Sequence, residues 1–310
     1  MPINKLSMAG YVAATAKILN IDDVSRIPEE ASYSFDNTYD KIALYRTTSM
    51  LTIPLLNNRK IVVGVLQLIN AKKTEQREFV PFQKDVEILG KYYATLGALA
   101  LERAMMTRTL LMRMVNMTEF RDPKETGPHV NRVGSYAVAI YDSWAKANNV
   151  NEKDRIHNRD VLRMAAMLHD VGKTGISDII LKKPGQLTTE ERNTMQKHCK
   201  LGAEVLRNCE SSFDEMAHDI ALNHHECWDG SGYPNGLIGS EIPFMARITA
   251  IADIFDALSS KRAYKEPWPD EAVATEMEIL FEDKLDPDLK IHFMSQLDVL
   301  REIKNTYPEY

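Results

Sequence analysis

His224-His225-Glu226-Cys227-Trp228-Asp229-Gly230-Ser231-Gly232-Tyr233-Pro234 is the stretch on which the reading of this chain turns. Two adjacent imidazoles are followed by an acid and then by a loop punctuated with glycine and proline. Neighbouring residues of a helix point about 100° apart, so two such rings rarely converge on one small ion. They can serve two ions a few ångströms apart, the spacing of multi-metal sites that cleave phosphate esters. The stretch therefore predicts a cluster of metals rather than one.

Matching donors lie elsewhere in the chain. His169-Asp170 ends the amphipathic segment Val161-Leu162-Arg163-Met164-Ala165-Ala166-Met167-Leu168, His129 lies upstream and His198 downstream. Asp253 follows the apolar run Ile248-Thr249-Ala250-Ile251-Ala252. Five of the 8 histidines fall in these places, accompanied by the carboxylates Glu125, Asp170, Glu226 and Asp253. A mixed imidazole and carboxylate set without cysteine favours Fe, Mn, Zn or Ni over a structural zinc knot. His157, His218 and His292 have no such company and read as ordinary core or surface residues.

Outside these stretches the texture changes along the chain. Thr47 to Leu55 and the β-branched run Ile61 to Asn70 read as strands flanking a turn at Asn57-Asn58-Arg59-Lys60. From about residue 83 to 118 apolar residues recur at Val86, Leu89, Tyr93, Leu96, Ala100, Leu110, Met114 and Met117. That spacing predicts a long connecting helix able to pair with a second copy, with Arg103 and Thr107 breaking the seam. Beyond residue 115 the apolar periodicity is helical almost throughout, and Thr188-Thr189-Glu190-Glu191 reads as a helix start. The expected fold is α+β overall: an α/β sheet module over 1–82, a connecting helix over 83–118 and an all-α bundle over 119–310.

Composition narrows the function. With 310 residues and 44% hydrophobic content, two domains with real cores are expected. No apolar run reaches the roughly eighteen residues of a membrane span, and no secretory signal is legible at the N-terminus. The 3 cysteines are unpatterned, which fits a reducing cytoplasm. A net charge of −6 argues against binding polymeric nucleic acid.

Several spaced motifs together resemble the HD-GYP phosphodiesterases, a branch of the HD metal-dependent phosphohydrolases. They are Arg121-Asp122-Pro123, Thr126-Gly127-Pro128-His129 with Arg132-Val133, and His169-Asp170-Val171-Gly172-Lys173 through Lys183-Pro184-Gly185. His198 and Gly202 follow, then the His224 to Pro234 run, Ile242-Pro243, Ala252-Asp253, Asp256-Ala257 and Arg262-Ala263-Tyr264-Lys265. The resemblance implies that His129, His169, Asp170, His198, His224, His225 and Asp253 bind two or three divalent metals, iron before manganese, with Asp170 bridging and catalytic. Glu125, four residues before His129, matches an extra ligand of three-metal members; as a bare residue it also suits the first turn of a helix. Lys173 would contact the scissile phosphate, and Tyr233, Arg262 and Lys265 would hold a guanine dinucleotide. The implied activity is hydrolysis of cyclic di-GMP, a bacterial second messenger, to pGpG or GMP by a metal-activated hydroxide. The alternatives are a related cyclic dinucleotide such as cyclic GMP-AMP, or a silent receptor or scaffold working with a signalling partner.

Three departures from that pattern stand out. Ser177 replaces a proline, Cys227 follows the His-His-Glu triplet, and the segment Phe281 to Pro287 lacks a usual Gly-Thr. The N-terminal strands, ending in Gly64-Val65-Leu66-Gln67-Leu68-Ile69-Asn70, resemble the second half of a GAF domain. The segment from Ala9-Gly10-Tyr11 to Leu19-Asn20-Ile21 resembles its middle helix. A truncated GAF-like sensor or dimerisation module is the expectation.

Overall fold

The computed structural model describes residues 6–73, 79–121, 127–207, 211–260 and 267–308. The chain divides into two compact units, Met1–Leu110 and Leu111–Tyr310.

The first unit begins with α1 (Met8–Thr15), opened by the Ser7 hydroxyl accepting from the Gly10 N–H at 3.0 Å. Ala16 closes it in the left-handed region, φ 55°. Leu19-Asn20-Ile21, which the sequence groups with this helix, leaves it and pairs as β1 (Leu19–Ile21) against β2 (Met50–Leu56). The short α2 (Thr38–Ala43) lies between them in the chain. β2 also pairs antiparallel with β3 (Val62–Ile69), giving the order β1-β2-β3. The Asn57 carboxamide shapes their turn, accepting from the Arg59 and Ile61 N–H groups at 3.0 and 2.9 Å.

The long helix α3 (Lys84–Arg121) spans the segment expected to connect the domains, and the division between the units falls inside it. In the first unit its small residues face the sheet. A Cβ at Gly90 would stand 2.6 Å from the Ile53 side chain, and one at Gly97 would stand 3.0 Å from Leu55. Ala94 and Ala98 are buried beside them. The predicted seam lies largely off the sheet. Val86 packs toward the sheet, whereas Leu89, Tyr92, Leu96, Leu99, Met106 and Leu110 are exposed.

The regular elements of the second unit's described residues are helices joined by turns and loops: α4 (Gly127–Ala147), α5 (Glu152–Ala166), α6 (Asp178–Leu181), α7 (Thr189–Met195), α8 (Lys197–Val205), α9 (Ser212–Asn223), α10 (Phe244–Ser259), α11 (Asp270–Asp283), α12 (Lys290–Met294) and α13 (Leu297–Thr306). Local signals explain several starts. Asn151 caps α5, Ser211 caps α9, and Thr188 with Glu191 forms a capping box on α7. Ser177 precedes α6 without a side-chain cap bond. Ile140, Leu162, Ile220, Ile248, Ile251 and Phe293 from five helices are fully buried in one apolar core.

One close approach sets the spacing of two of the predicted donors. After α5 the chain makes a 3-10 turn, Val171–Gly175, against α8. A Cβ at Gly172 would stand 1.9 Å from the His198 carbonyl oxygen and 2.3 Å from the Gly202 nitrogen. Only a residue without a side chain lets α8 lie that close, and the contact brings His198 up to Asp170.

Candidate metal centre

The helices deliver seven predicted donors into one buried place. His129 stands in the first turn of α4, His169-Asp170 in the bend after α5, and His198 in α8. His224 is the C-cap of α9, His225 follows it, and Asp253 stands in α10. The donors fall into two groups, each with its ligand atoms within 4.8 Å of one another: Asp170, His198, His224 and His225; and His129, His169 and Asp253. His169-Asp170 supplies both groups, one residue to each.

The orientation of the rings follows from hydrogen bonds behind them. Nδ1 of His169, His198 and His224 lies 2.8, 2.8 and 3.0 Å from the carbonyl oxygens of Ala166, Met195 and Ile220. Nδ1 of His129 lies 2.8 Å from Oδ2 of Asp256. Carbonyls and carboxylates only accept, so each Nδ1 carries the hydrogen and, in the neutral ring, each Nε2 presents a lone pair inward.

Those lone pairs face carboxylate oxygens. His198 and His224 Nε2 stand 3.1 and 3.7 Å from Asp170 Oδ1. His169 Nε2 is 3.2 Å from Asp170 Oδ2, and His129 Nε2 is 3.8 Å from Asp253 Oδ1. Acceptor facing acceptor is favourable only with a proton or a cation between them. Among the described residues, buried His224 Nε2 has no hydrogen-bond partner. Ligands about 2.0–2.2 Å from one ion stand roughly 3–4 Å apart, so the donor set fits divalent metal.

Electrostatics agree. Burial works to raise the Asp170 carboxyl, but Lys173, His169 and His198 hold it well below the usual carboxylate range. Burial and the adjacent His224 push His225 well down, and burial lowers His224, so both favour the neutral imidazole that a metal requires. Burial also works downward on His198, yet Asp170 pushes it up to about 10. A proton and a divalent cation would compete for that nitrogen, so metal loading there releases a proton.

Lys173, in the 3-10 turn, places Nζ 2.7 Å from Asp170 Oδ2. The Tyr233 ring lies against His225, centroids 4.7 Å apart and planes inclined at 34°. Glu226, which the sequence counts among the carboxylates around the histidines, does not join them. It is buried and accepts from the backbone N–H groups of Asn235 and Leu237 at 2.7 and 3.1 Å, folding the loop. A Cβ at Gly232 would stand 2.3 Å from the Cys227 nitrogen, so this position needs glycine. The same loop is tied to the end of α11: Trp228 N–H donates to the Lys284 carbonyl at 2.8 Å, and Lys284 Nζ reaches Asp229 at 2.6 Å. Glu125, Arg262 and Lys265 lie outside the described residues.

Sequence reasoning gave no role to Asp256 and Arg132, although both stand in the quoted motifs. The available signal was a pair of matched i, i+3 spacings: His129 with Arg132 on one helix, Asp253 with Asp256 on another. Each pair puts one residue at the centre and the other directly behind it.

A helical bundle that gathers two groups of imidazole and carboxylate donors around an adjacent His-Asp pair is an arrangement able to hold divalent metal. The HD domain family model matches residues 116–289, and the chain belongs to that family. Among curated relatives, 3'3'-cGAMP-specific phosphodiesterase 2 of Vibrio cholerae serotype O1 is 44% identical over 171 residues, covering 55% of this chain and 31% of that protein. Cyclic di-GMP phosphodiesterase response regulator RpfG of Xanthomonas campestris pv. campestris is 43% identical over 161 residues, 52% of this chain and 40% of the relative. The cyclic di-GMP phosphodiesterase of Thermotoga maritima is 39% identical over 198 residues, 64% of this chain and 50% of the relative. The matches thus span between 31% and 50% of these relatives' lengths. No described helix is long and apolar enough to cross a membrane.

Proposed function

We propose that the chain is a metal-dependent phosphodiesterase of the HD-GYP branch that opens cyclic di-GMP to pGpG, with GMP as a further product. The observation that carries the reading is the meeting of two donor groups at the adjacent pair His169-Asp170 with a lysine ammonium 2.7 Å from Asp170. His129, His169 and Asp253 would hold one cation and Asp170, His198, His224 and His225 another. Iron is the first choice and manganese the second, and Glu125 would serve a third ion. When bound, such cations supply a water of lowered pKa as nucleophile and offset charge on the phosphoryl oxygens.

The chain's own residues do the rest. Backbone carbonyls and Asp256 fix the tautomers of His129, His169, His198 and His224, so these rings need not reorient during the reaction. Lys173 directs a positive charge at the place where a phosphate oxygen would come to rest. Tyr233 offers a ring edge and face beside His225 for a nucleobase, and Arg262 and Lys265 are the proposed contacts to base and phosphate. A reading as a 3'3'-cyclic GMP-AMP hydrolase has one observation in its favour, the name of the relative that is 44% identical.

The remaining proposals concern organisation. Residues 1–82 are read as a partial GAF-like module, supported by the β2–β3 hairpin; residues 83–118 as a connecting helix; and residues 119–310 as the HD-GYP domain, in a cytoplasmic protein. The exposed apolar residues of α3 support a homodimer through that helix. Leu96→Glu with Leu99→Glu is expected to convert a dimer to a monomer in light-scattering chromatography, and a monomeric wild type sinks the dimer.

The activity test starts from metal-free protein reloaded anaerobically with Fe(II) or Mn(II). Bound metal is counted, and products of cyclic di-GMP and of 3'3'-cyclic GMP-AMP are separated by chromatography. Linear dinucleotide or mononucleotide at about two to three metals per chain is expected. Metal bound with neither compound cleaved rejects the enzyme reading.

A further inference from the structure

We propose that Asp256 is the positioning residue for the His129 side of the centre, and that Arg132 holds it in place from the C-terminal end of the chain. The inference rests on the metal-centre reading and deepens it.

Asp256 is 1% exposed and its two oxygens are fully engaged. Oδ2 accepts from His129 Nδ1 at 2.8 Å and from Arg132 Nη2 at 2.8 Å. Oδ1 accepts from Arg132 Nε at 2.5 Å and from the Ser260 hydroxyl at 3.2 Å. Arg132, also 1% exposed, reaches the Tyr307 carbonyl through Nη1 at 2.8 Å. The Tyr307 hydroxyl in turn accepts from Arg163 Nη2 at 3.1 Å. A line of contacts therefore runs from the residue after α13, through Arg132 and Asp256, to the ring that faces Asp253.

The chemistry of each link is directional. A guanidinium can only donate, so it fixes Asp256 as an acceptor on both oxygens. An acceptor behind His129 keeps the hydrogen on Nδ1 and leaves the Nε2 lone pair for the cation. His169, His198 and His224 obtain the same result from main-chain carbonyls three or four residues earlier. Those anchors come with the backbone, whereas the anchor of His129 is a side chain from another helix.

Asp256→Asn tests the assignment because it keeps shape and removes one acceptor. Its amide nitrogen must oppose a donor of Arg132 or the Nδ1–H of His129, and the second case forces His129 into the tautomer that cannot ligate. Mn(II) is titrated into metal-free wild-type and variant chains and followed by electron paramagnetic resonance. In the variant one class of bound Mn(II) is expected to weaken about 10–100-fold while the other keeps its affinity, with circular dichroism unchanged. Arg132→Lys, which keeps charge and loses the fork, should weaken the same class by less. Equal weakening of both classes, or of neither, overturns the proposal, because a general loss of structure has no reason to select one class. A second readout needs no variant: nitrogen-15 shifts of metal-free wild type should report a hydrogen on His129 Nδ1, whether or not Nε2 also carries one. The opposite tautomer overturns the proposal on its own. Wild type that takes up no Mn(II) with His129 still in the expected tautomer would reject the metal-centre reading and leave the positioning role standing.

Discussion

The two donor groups of the centre reach the same ligand geometry by different means. In the group of Asp170, His198, His224 and His225, two rings are anchored by main-chain carbonyls three or four residues earlier in the chain, and a Gly172–Gly202 contact sets the distance between elements. In the group of His129, His169 and Asp253, one ring depends on a buried carboxylate and guanidinium that must be neutralised together. Backbone anchors cost no extra desolvation, since the carbonyl is buried in any case. An ion-pair anchor is expensive to bury and more expensive to break, which makes this half of the centre the one most exposed to single substitutions.

The largest expected effect comes from removing the residue through which the groups meet. Asp170→Ala should abolish turnover of cyclic dinucleotide and leave fewer metals per chain, measured by product chromatography and metal analysis. Retained hydrolysis at the wild-type rate would separate Asp170 from the chemistry. Next is Asp256→Ala, which strands the Arg132 guanidinium in the core. It should cost about 3–5 kcal/mol in denaturant unfolding. A cost under about 1 kcal/mol would mean that water or another acceptor replaces it.

Gly172→Ala should act on the other group. The added methyl group would overlap the His198 carbonyl, forcing α8 outward at a cost of about 1–3 kcal/mol and weakening Mn(II) binding there. If binding at the His129 group falls equally, the two halves are mechanically one. The smallest effect is on acid stability. Burial works against charge on Asp256, but hydrogen bonds from Arg132 and His129 outweigh it and hold the carboxyl well below its usual range. With its folded pKa depressed, its stabilisation is complete above the unfolded value of about 4 and is lost as pH falls below that. Asp256→Asn should therefore flatten the pH dependence of unfolding below about pH 4; an unchanged slope would show that other carboxylates govern it.

Much of this site is legible in the sequence. Histidines and carboxylates are chemically conspicuous, and His169-Asp170 and His224-His225 announce themselves by adjacency. The hairpin around Asn57 and the helix start at Thr188 are legible because both depend on side chains bonding within a few residues. Other features cannot be read this way. Leu19-Asn20-Ile21 looks like the end of a helix because its competing partner, Met50 to Thr52, lies thirty residues away. The face of α3 that meets the sheet is not legible because its small residues, Gly90, Ala94, Gly97 and Ala98, carry no apolar signal of their own. Glu226 groups with the metal-side acids because spacing in the chain cannot say which way a carboxylate turns.

Residue identity and local spacing were enough to point to the candidate donors, the helical character of the second unit and the family. The division of donors into two groups, the withdrawal of Glu226 into its loop and the line from Tyr307 to His129 came from packing. The reason is range: caps, turns and motifs act over a few residues, whereas Arg132 meets Asp256 across 124 positions and Tyr307 across 175. Contacts of that span exist only after the helices have docked.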